Sequence, residues 1–388
     1  MFAIRPVQLR AALRSVRHAS TAAAEAVRAA TQLRTPIIQP IFVAETGPAL
    51  DEAAYTIDCA GLGRGEIEAR MRETFDAVGL IKLENTGAKD AEEMRDLAEI
   101  ILSDGMEAYE GGANSRAEIA MNVFDTGAPK EAHLHYHHEM AYVSESTKAL
   151  GFMALAQTSS EIGATYVSDA VGTTNMLMQT ELGHKLREKG ITYIRNLTDR
   201  ESGLDDDPSN AMSGVYNHWQ TSFGVETVEE VEKAAASKGL EFEWGGVDGH
   251  RFLKTKFSVS AFEYFPPLDR NLLYSSVADD SLWFDAWPGV MDLPTMGSFA
   301  TATQDERPLK ITYGDGTDFT REELQLYVDV YDAYGVPLWW RTGDVAVVCN
   351  HRWAHGRPAY ELAEGEERTL GVVLGEMYPR LGQYDNKW

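Results

Sequence analysis

The sequence predicts an α+β protein built around a β-sandwich or barrel. Three observations carry that reading. Short apolar runs of strand length recur from about residue 118 onward. A few longer stretches show helical spacing and suit a covering layer. There is no regular βαβ alternation and no GxGxxG or GxxxxGK[ST] run, which counts against a nucleotide-binding sheet.

Residues 64–77 predict a helix leading into the run Val78-Gly79-Leu80-Ile81-Lys82-Leu83, which reads as a strand. Asn85-Thr86-Gly87 is a turn, and residues 89–103 carry Ala, Met, Leu and Ile at helical spacing. The runs 119–124 and 150–155 each predict a strand. Residues 172–189 predict one amphipathic helix, 190–194 a strand and 226–238 a charged helix. Strands follow at 241–244, 253–257 and 272–274, then a helix at 320–334. The runs 345–349 and 370–374 are apolar throughout and predict buried strands. Neither a repeat of fixed period nor a dividing linker is present. Residues 36–388 are therefore expected to form one domain with a helical insert around 170–240.

Composition narrows the function. The chain has 388 residues, 44% of them hydrophobic, so a large core is expected and global disorder is not. Its formal net charge of −25 argues against nucleic acid and against an anionic membrane surface, both of which demand cationic residues. No run of about 18 apolar residues marks a transmembrane helix. With only Cys59 and Cys349, neither a disulfide framework nor a cysteine-rich metal site is expected. The N-terminus differs in character: residues 1–24 hold Arg5, Arg10, Arg14 and Arg17 and no acid. That is the composition of a transit peptide, so residues 1–35 are read as a targeting or disordered segment. Mitochondrial localisation is expected, with plastid or cytoplasmic placement as the alternatives.

The most unusual segment is His133-Leu134-His135-Tyr136-His137-His138-Glu139, which concentrates four of the ten histidines beside a carboxylate. On a strand, 133, 135, 137 and 139 share one face, so His137 and Glu139 can converge on one ion. His138 points the opposite way and is expected at the surface. Two imidazoles and a carboxylate on one side of a metal leave positions open for cosubstrate and oxygen. For the second imidazole the best candidate is His355, delivered by the strand at 345–349, with Gly356 permitting a sharp exit. His351 competes with it.

With these pieces in place the sequence resembles the TauD/TfdA, or clavaminate synthase-like, family of Fe(II)/2-oxoglutarate-dependent dioxygenases. The resemblance rests on His137-His138-Glu139-Met140-Ala141-Tyr142, Gly163-Ala164-Thr165, Tyr313-Gly314-Asp315-Gly316, Trp340-Arg341-Thr342-Gly343-Asp344, Asn350, His355-Gly356-Arg357 and Arg368. It implies a double-stranded β-helix, or jelly roll, flanked by helices. It implies Fe(II) held by His137, Glu139 and His355, with 2-oxoglutarate and O2 as cosubstrates. Thr165 and Arg368 match the residues that meet a 2-oxoglutarate carboxylate, and Arg357 is the rival anchor. A guanidinium suits that task because it donates two parallel hydrogen bonds. The other reading of Arg368 is an ion pair with Glu366 or Glu367.

The reaction so implied oxidises a small organic molecule, releasing succinate and CO2, with hydroxylation the expected outcome. Tyr142, His218, Trp219 and Phe284 are candidate substrate contacts, although Tyr142, Trp219 and Phe284 read more readily as packing residues. A homo-oligomer is compatible with this reading. One alternative is a cupin-type metal enzyme that does not use 2-oxoglutarate, built on His133, His135 and Glu139. The other is a non-catalytic jelly-roll scaffold.

Overall fold

The computed structural model describes residues 50–102, 118–126, 130–200, 218–247, 250–278 and 309–388. The Arg-rich segment 1–35 and Phe284 lie outside these residues.

Two sheets position the site. The larger has seven strands in the order β1 (Thr56–Asp58), β2 (Leu80–Glu84), β16 (Val345–Cys349), β7 (Ala149–Gln157), β18 (Arg368–Leu374), β4 (Val123–Asp125) and β3 (Glu118–Ala120). Only its β1–β2 pair is parallel. The second runs β15 (Gly335–Leu338), β8 (Thr165–Asp169), β17 (Trp353–Arg357), β5 (Leu134–His137), all antiparallel. A further four-stranded sheet has the order β10 (Glu241–Val247), β11 (His250–Val259), β9 (Ile191–Thr198), β14 (Leu309–Tyr313). Two small pairs complete the set: β12 (Phe262–Phe265) with β13 (Arg270–Leu273), and β6 (Glu145–Thr147) with β19 (Met377–Pro379).

The described α-helices are α1 (Arg64–Val78), α2 (Ala91–Leu102), α3 (Ala170–Leu177), α4 (Glu181–Lys189), α5 (Trp219–Phe223), α6 (Val228–Ser237) and α7 (Arg321–Asp332). Local chemistry sets their ends. Gly79 closes α1 at φ +71, the left-handed conformation that glycine adopts without steric cost. Thr227 with Glu230, and Thr320 with Glu323, form capping boxes that start α6 and α7. None of these helices is long and apolar enough to cross a membrane.

Alternation along the large sheet explains its sequence. Val345 and Val347 pack with Ile81, Leu83, Met153 and Val373 against Ile67 and Met71 of α1 and Met94, Leu97 and Ala98 of α2. Their neighbours Ala346 and Val348 face the other way, with Phe152, Leu370 and Val372, onto Val167, Leu338, Trp340 and Trp353 at the second sheet. Both faces are covered, so the strands are apolar throughout rather than alternating. The far side of the second sheet meets Tyr327, Val330 and Tyr331 of α7 and Tyr193 of β9 through Tyr136, Tyr166 and Ala354.

Several expectations are corrected. The helix predicted over 172–189 is two helices, α3 and α4. Thr180 caps α4 by accepting from the Gly183 N–H at 3.1 Å, and a side chain at Gly183 would overlap the Leu177 carbonyl. The strand expected over 119–124 is a tight hairpin, β3–β4, turning at Asn122 with φ +61. The strand expected at 190–194 is longer, β9 over Ile191–Thr198, between α4 and α5. His355 does not extend the strand at 345–349. A turn over residues 350–352 carries the chain from the large sheet to the second, where His355 has its own strand, β17.

Candidate active site

Histidine and carboxylate converge through strand pairing. Across β5 and β17, His355 stands opposite His137. Their ring centroids are 4.3 Å apart, and His355 Nε2 lies 3.8 Å from a Glu139 carboxylate oxygen. One ligand atom from each of His137, Glu139 and His355 falls within 4.8 Å of the others; among the described residues no other histidine, cysteine or acid joins such a group. Gly356 makes the approach possible. It lies within β17 beside an irregularity in the β5 pairing, and a Cβ there would come 2.7 Å from the Leu134 carbonyl oxygen. Its task is therefore close backbone contact, not the sharp exit expected.

The expectation that Glu139 shares a strand face with His137 is also corrected. The strand ends at His137, and Glu139 sits on the following turn, where Met140 takes φ +57. Hydrogen bonds hold that turn. Asn350 Oδ1 accepts from the Glu139 N–H at 2.9 Å, and the Glu139 carbonyl accepts from Asn350 Nδ2, Ser146 Oγ and Tyr274 Oη, each at 3.0 Å. Two residues further on, Arg380 donates to the Ala141 carbonyl at 2.6 Å and pairs with buried Glu263.

The donor set suits a ferrous ion. His137 Nδ1 lies 2.8 Å from the His135 carbonyl oxygen, which only accepts, so Nδ1 carries the proton and Nε2 keeps its lone pair for a metal. Glu139 and His355 are buried and His137 half-buried. Three neighbouring histidines are committed elsewhere. His138 is fully buried against Tyr274, not exposed, and its Nδ1 accepts from the Ser275 N–H; burial pushes its pKa down to about 3. His351 packs among Phe265, Tyr274 and Tyr378, clear of the triad, with its pKa also pushed to about 3 by burial. His133 accepts from the Ala359 N–H, so the histidines of the cupin reading do not gather with Glu139.

A pocket opens beside the triad between the two sheets. Leu134, Thr165, Gly356 and Arg357 line it from the second sheet, and Phe152, Arg368, Leu370 and Val372 from the large one. Phe152 meets the His355 ring edge-on at 5.4 Å. Trp340 Nε1 donates to Thr165 Oγ1 at 3.1 Å, so the Thr165 hydroxyl proton can be directed to another acceptor. Arg368 Nε and Nη2 both donate to the Gly163 carbonyl, at 3.0 and 2.8 Å. Arg357 is 5% exposed and donates to the Ala132 carbonyl; burial lowers its pKa to about 10, which leaves it cationic at neutral pH. Tyr360 receives both guanidinium carbons over its ring, at 4.8 Å from Arg357 and 4.9 Å from Arg368. Within an acidic chain, the pocket is locally positive.

Gly163 adopts φ +64, and a Cβ there would overlap Arg368 Nε and Cδ. Gly163→Ala is expected to cost about 1–2 kcal/mol for the left-handed backbone alone. It should also push the guanidinium out of register and weaken 2-oxoglutarate binding. Thermal unfolding and cosubstrate titration check the two effects separately.

Of the candidate substrate contacts among the described residues, Tyr142, His218 and Trp219 do not line this pocket. Trp219 is buried with Leu197, Val231 and Leu253, and its ring meets Trp244 edge-on at 5.8 Å, so it is a packing residue. His218 precedes α5 and bonds Thr198 Oγ1 at 3.1 Å. Tyr142 lies under the Arg195 guanidinium at 4.8 Å, beside Tyr193. Sequence reading missed Asn350 as a support for Glu139, Trp340 beside Thr165, Tyr360, and Thr126 at the pocket rim. Asn350 was visible only as part of a motif.

Two imidazoles and a carboxylate beside a cationic pocket are the equipment of a mononuclear non-haem iron oxygenase with an anionic cosubstrate. The family described as taurine catabolism dioxygenase TauD, TfdA matches residues 45–374. A clavaminate synthase-like protein of Arabidopsis thaliana is 24% identical over 288 residues, covering 73% of this chain and 78% of that protein. The dapdiamide synthesis protein DdaC of Enterobacter agglomerans is 24% identical over 313 residues, covering 79% and 85%. A taurine dioxygenase structure from Burkholderia xenovorans aligns with a TM-score of 0.45 at 11% identity, covering 84% of this chain and 88% of that one. The chain belongs to the TauD/TfdA family: it is an oxidoreductase, a dioxygenase dependent on Fe(II) and 2-oxoglutarate.

Proposed function

We propose that His137, Glu139 and His355 hold the ferrous ion, that Arg368 and Thr165 bind a carboxylate of 2-oxoglutarate, and that the enzyme hydroxylates a small acid-bearing molecule. The observation that carries this reading is the convergence of one atom from each ligand within 4.8 Å, next to a pocket lined by two arginines. When bound, the iron supplies the redox chemistry that couples 2-oxoglutarate and O2 to oxidation of a carbon–hydrogen bond, with succinate and CO2 released.

The protein's own residues bind, orient and exclude water. With Nε and one Nη2 N–H on the Gly163 carbonyl, Arg368 can offer a carboxylate its remaining Nη1 and Nη2 donors, and Thr165 can add another. Leu134, Phe152, Leu370 and Val372 give the pocket apolar walls, in which each charged hydrogen bond gains strength. Arg357 adds a second cation, which supports a substrate carrying a carboxylate, such as an amino-acid-like molecule.

The two facing sheets, with the metal ligands on their inner rim, support a double-stranded β-helix. The continuous match over residues 45–374 supports one catalytic domain across 36–388, with the stretch around 170–240 as an excursion from it. The arginine-rich N-terminus supports mitochondrial delivery; imaging residues 1–35 fused to a fluorescent reporter tests that. The test of function is succinate formation under Fe(II), ascorbate and 2-oxoglutarate, across carboxylate-bearing candidates and their neutral amides. Acids that stimulate turnover above the substrate-free rate support the reading. Stimulation by amides alone would overturn the acid-bearing substrate, and no succinate under any condition would overturn the cosubstrate site.

A further inference from the structure

We propose that Asn350 is a positioning residue for the metal site: its side-chain amide clasps the Glu139 backbone through both its N–H and its C=O and fixes where the carboxylate stands. This rests on the reading of Glu139 as a metal ligand.

The geometry is specific. Asn350 is fully buried, on the turn between β16 and β17. Its Oδ1 accepts from the Glu139 N–H at 2.9 Å, while its Nδ2 donates to the Glu139 carbonyl at 3.0 Å. The same Nδ2 reaches the Thr147 carbonyl at 2.9 Å and Tyr274 Oη at 2.7 Å. One planar group therefore ties the ligand-bearing turn to the turn that launches the His355 strand and to the end of β6. Only an amide offers an acceptor and a donor side by side with this reach.

The backbone at this point needs holding. Glu139 lies just beyond the ladder of β5, and Met140 follows in the left-handed region at φ +57, which a non-glycine residue adopts at a cost. Ser146 and Tyr274 add donors to the same carbonyl, so the strained turn is locked from one side by three side chains. His137 and His355 have a strand ladder to fix them, whereas Glu139 is held by side chains, of which Asn350 alone meets both its N–H and its carbonyl.

The experiment compares wild type, Asn350→Asp, Tyr274→Phe and Glu139→Ala. It measures Mn(II) affinity by electron paramagnetic resonance and the visible spectrum of the Co(II)-loaded protein, with thermal unfolding of the metal-free proteins alongside. Asn350→Asp keeps the acceptor facing the Glu139 N–H and turns an acceptor toward its carbonyl. It is expected to weaken Mn(II) binding about 10–100-fold, the usual cost of losing a partner that orients a ligand, and to alter the Co(II) spectrum. Tyr274→Phe removes one donor and leaves the amide; its loss should have the same sign and be smaller. Asn350→Asp and Tyr274→Phe proteins that are destabilised yet bind Mn(II) with wild-type affinity and spectrum would overturn the inference while leaving the metal site standing. Should Asn350→Asp not fold, Asn350→Ser, which loses the donor to the Glu139 carbonyl without adding a charge, takes its place, and wild-type metal affinity and spectrum there would overturn the inference. Wild-type protein that binds no more Mn(II) than Glu139→Ala would overturn the ligand assignment itself.

Discussion

Alanine at His355 is expected to abolish metal retention and 2-oxoglutarate turnover together, with the fold intact. The reason lies in how the site is assembled. His355 stands directly across from His137 on the neighbouring strand, and its Nε2 is 3.8 Å from Glu139. Removing the ring leaves two donors, and the loss should exceed the roughly 10–100-fold that an outer supporting partner costs. His137→Ala and Glu139→Ala should behave alike. Glu139→Asp is informative too: with its backbone clasped by Asn350, a side chain shorter by one methylene cannot follow the ion, so affinity should fall although the charge is kept. His133→Ala should leave metal binding unchanged, because His133 accepts from the Ala359 N–H and is not in the triad. Metal titration with circular dichroism separates lost binding from lost fold. Metal binding that survives in His355→Ala but fails in His351→Ala would reverse the assignment.

The second large effect is expected at Arg368. Arg368→Ala should raise the KM for 2-oxoglutarate by about 10–100-fold, corresponding to the 1.5–3 kcal/mol of a hydrogen bond to a charged group. Arg368→Lys should recover little, since an ammonium cannot keep the Nε–Nη2 fork on Gly163 while meeting a carboxylate. Arg357 gives the control. It lies deeper, with its guanidinium donating to Ala132, so Arg357→Ala should disturb substrate dependence more than cosubstrate KM. Initial rates with each component varied in turn decide between them. If Arg357→Ala carries the larger rise in 2-oxoglutarate KM, the two arginines exchange roles.

What the sequence shows plainly is what depends on local pattern. Val345–Cys349 reads as a buried strand because both its faces meet apolar partners. The starts of α6 and α7 lie close to expectation because Thr227/Glu230 and Thr320/Glu323 are short-range signals. The triad was legible because His137 and Glu139 are close in sequence and His355 falls in a recognisable motif. The strand carrying His355 was not. Trp353-Ala354-His355-Gly356-Arg357 is short and mixes apolar with charged residues, and its partners β5 and β8 make it a strand. Glu139 on a turn was equally hidden, because Met140, not a glycine, takes the positive φ. The same holds for Asn350, which meets Glu139 across 211 positions. Trp219 shows the same limit: it reads more readily as a core residue than as a substrate contact, but an isolated aromatic says nothing about which core it joins, here that of Leu197, Val231 and Leu253.

One consequence follows from the pairing of β5 with β17. The strands that carry the ligands come from opposite halves of the chain and touch edge to edge, so an ion between them is also a rivet. Occupancy adds its binding energy to cohesion of the native state, about 2.7 kcal/mol when free metal exceeds its Kd a hundredfold. An iron-starved cell would then hold protein that is not only silent but more open to proteolysis, and its abundance would track the supply of its metal.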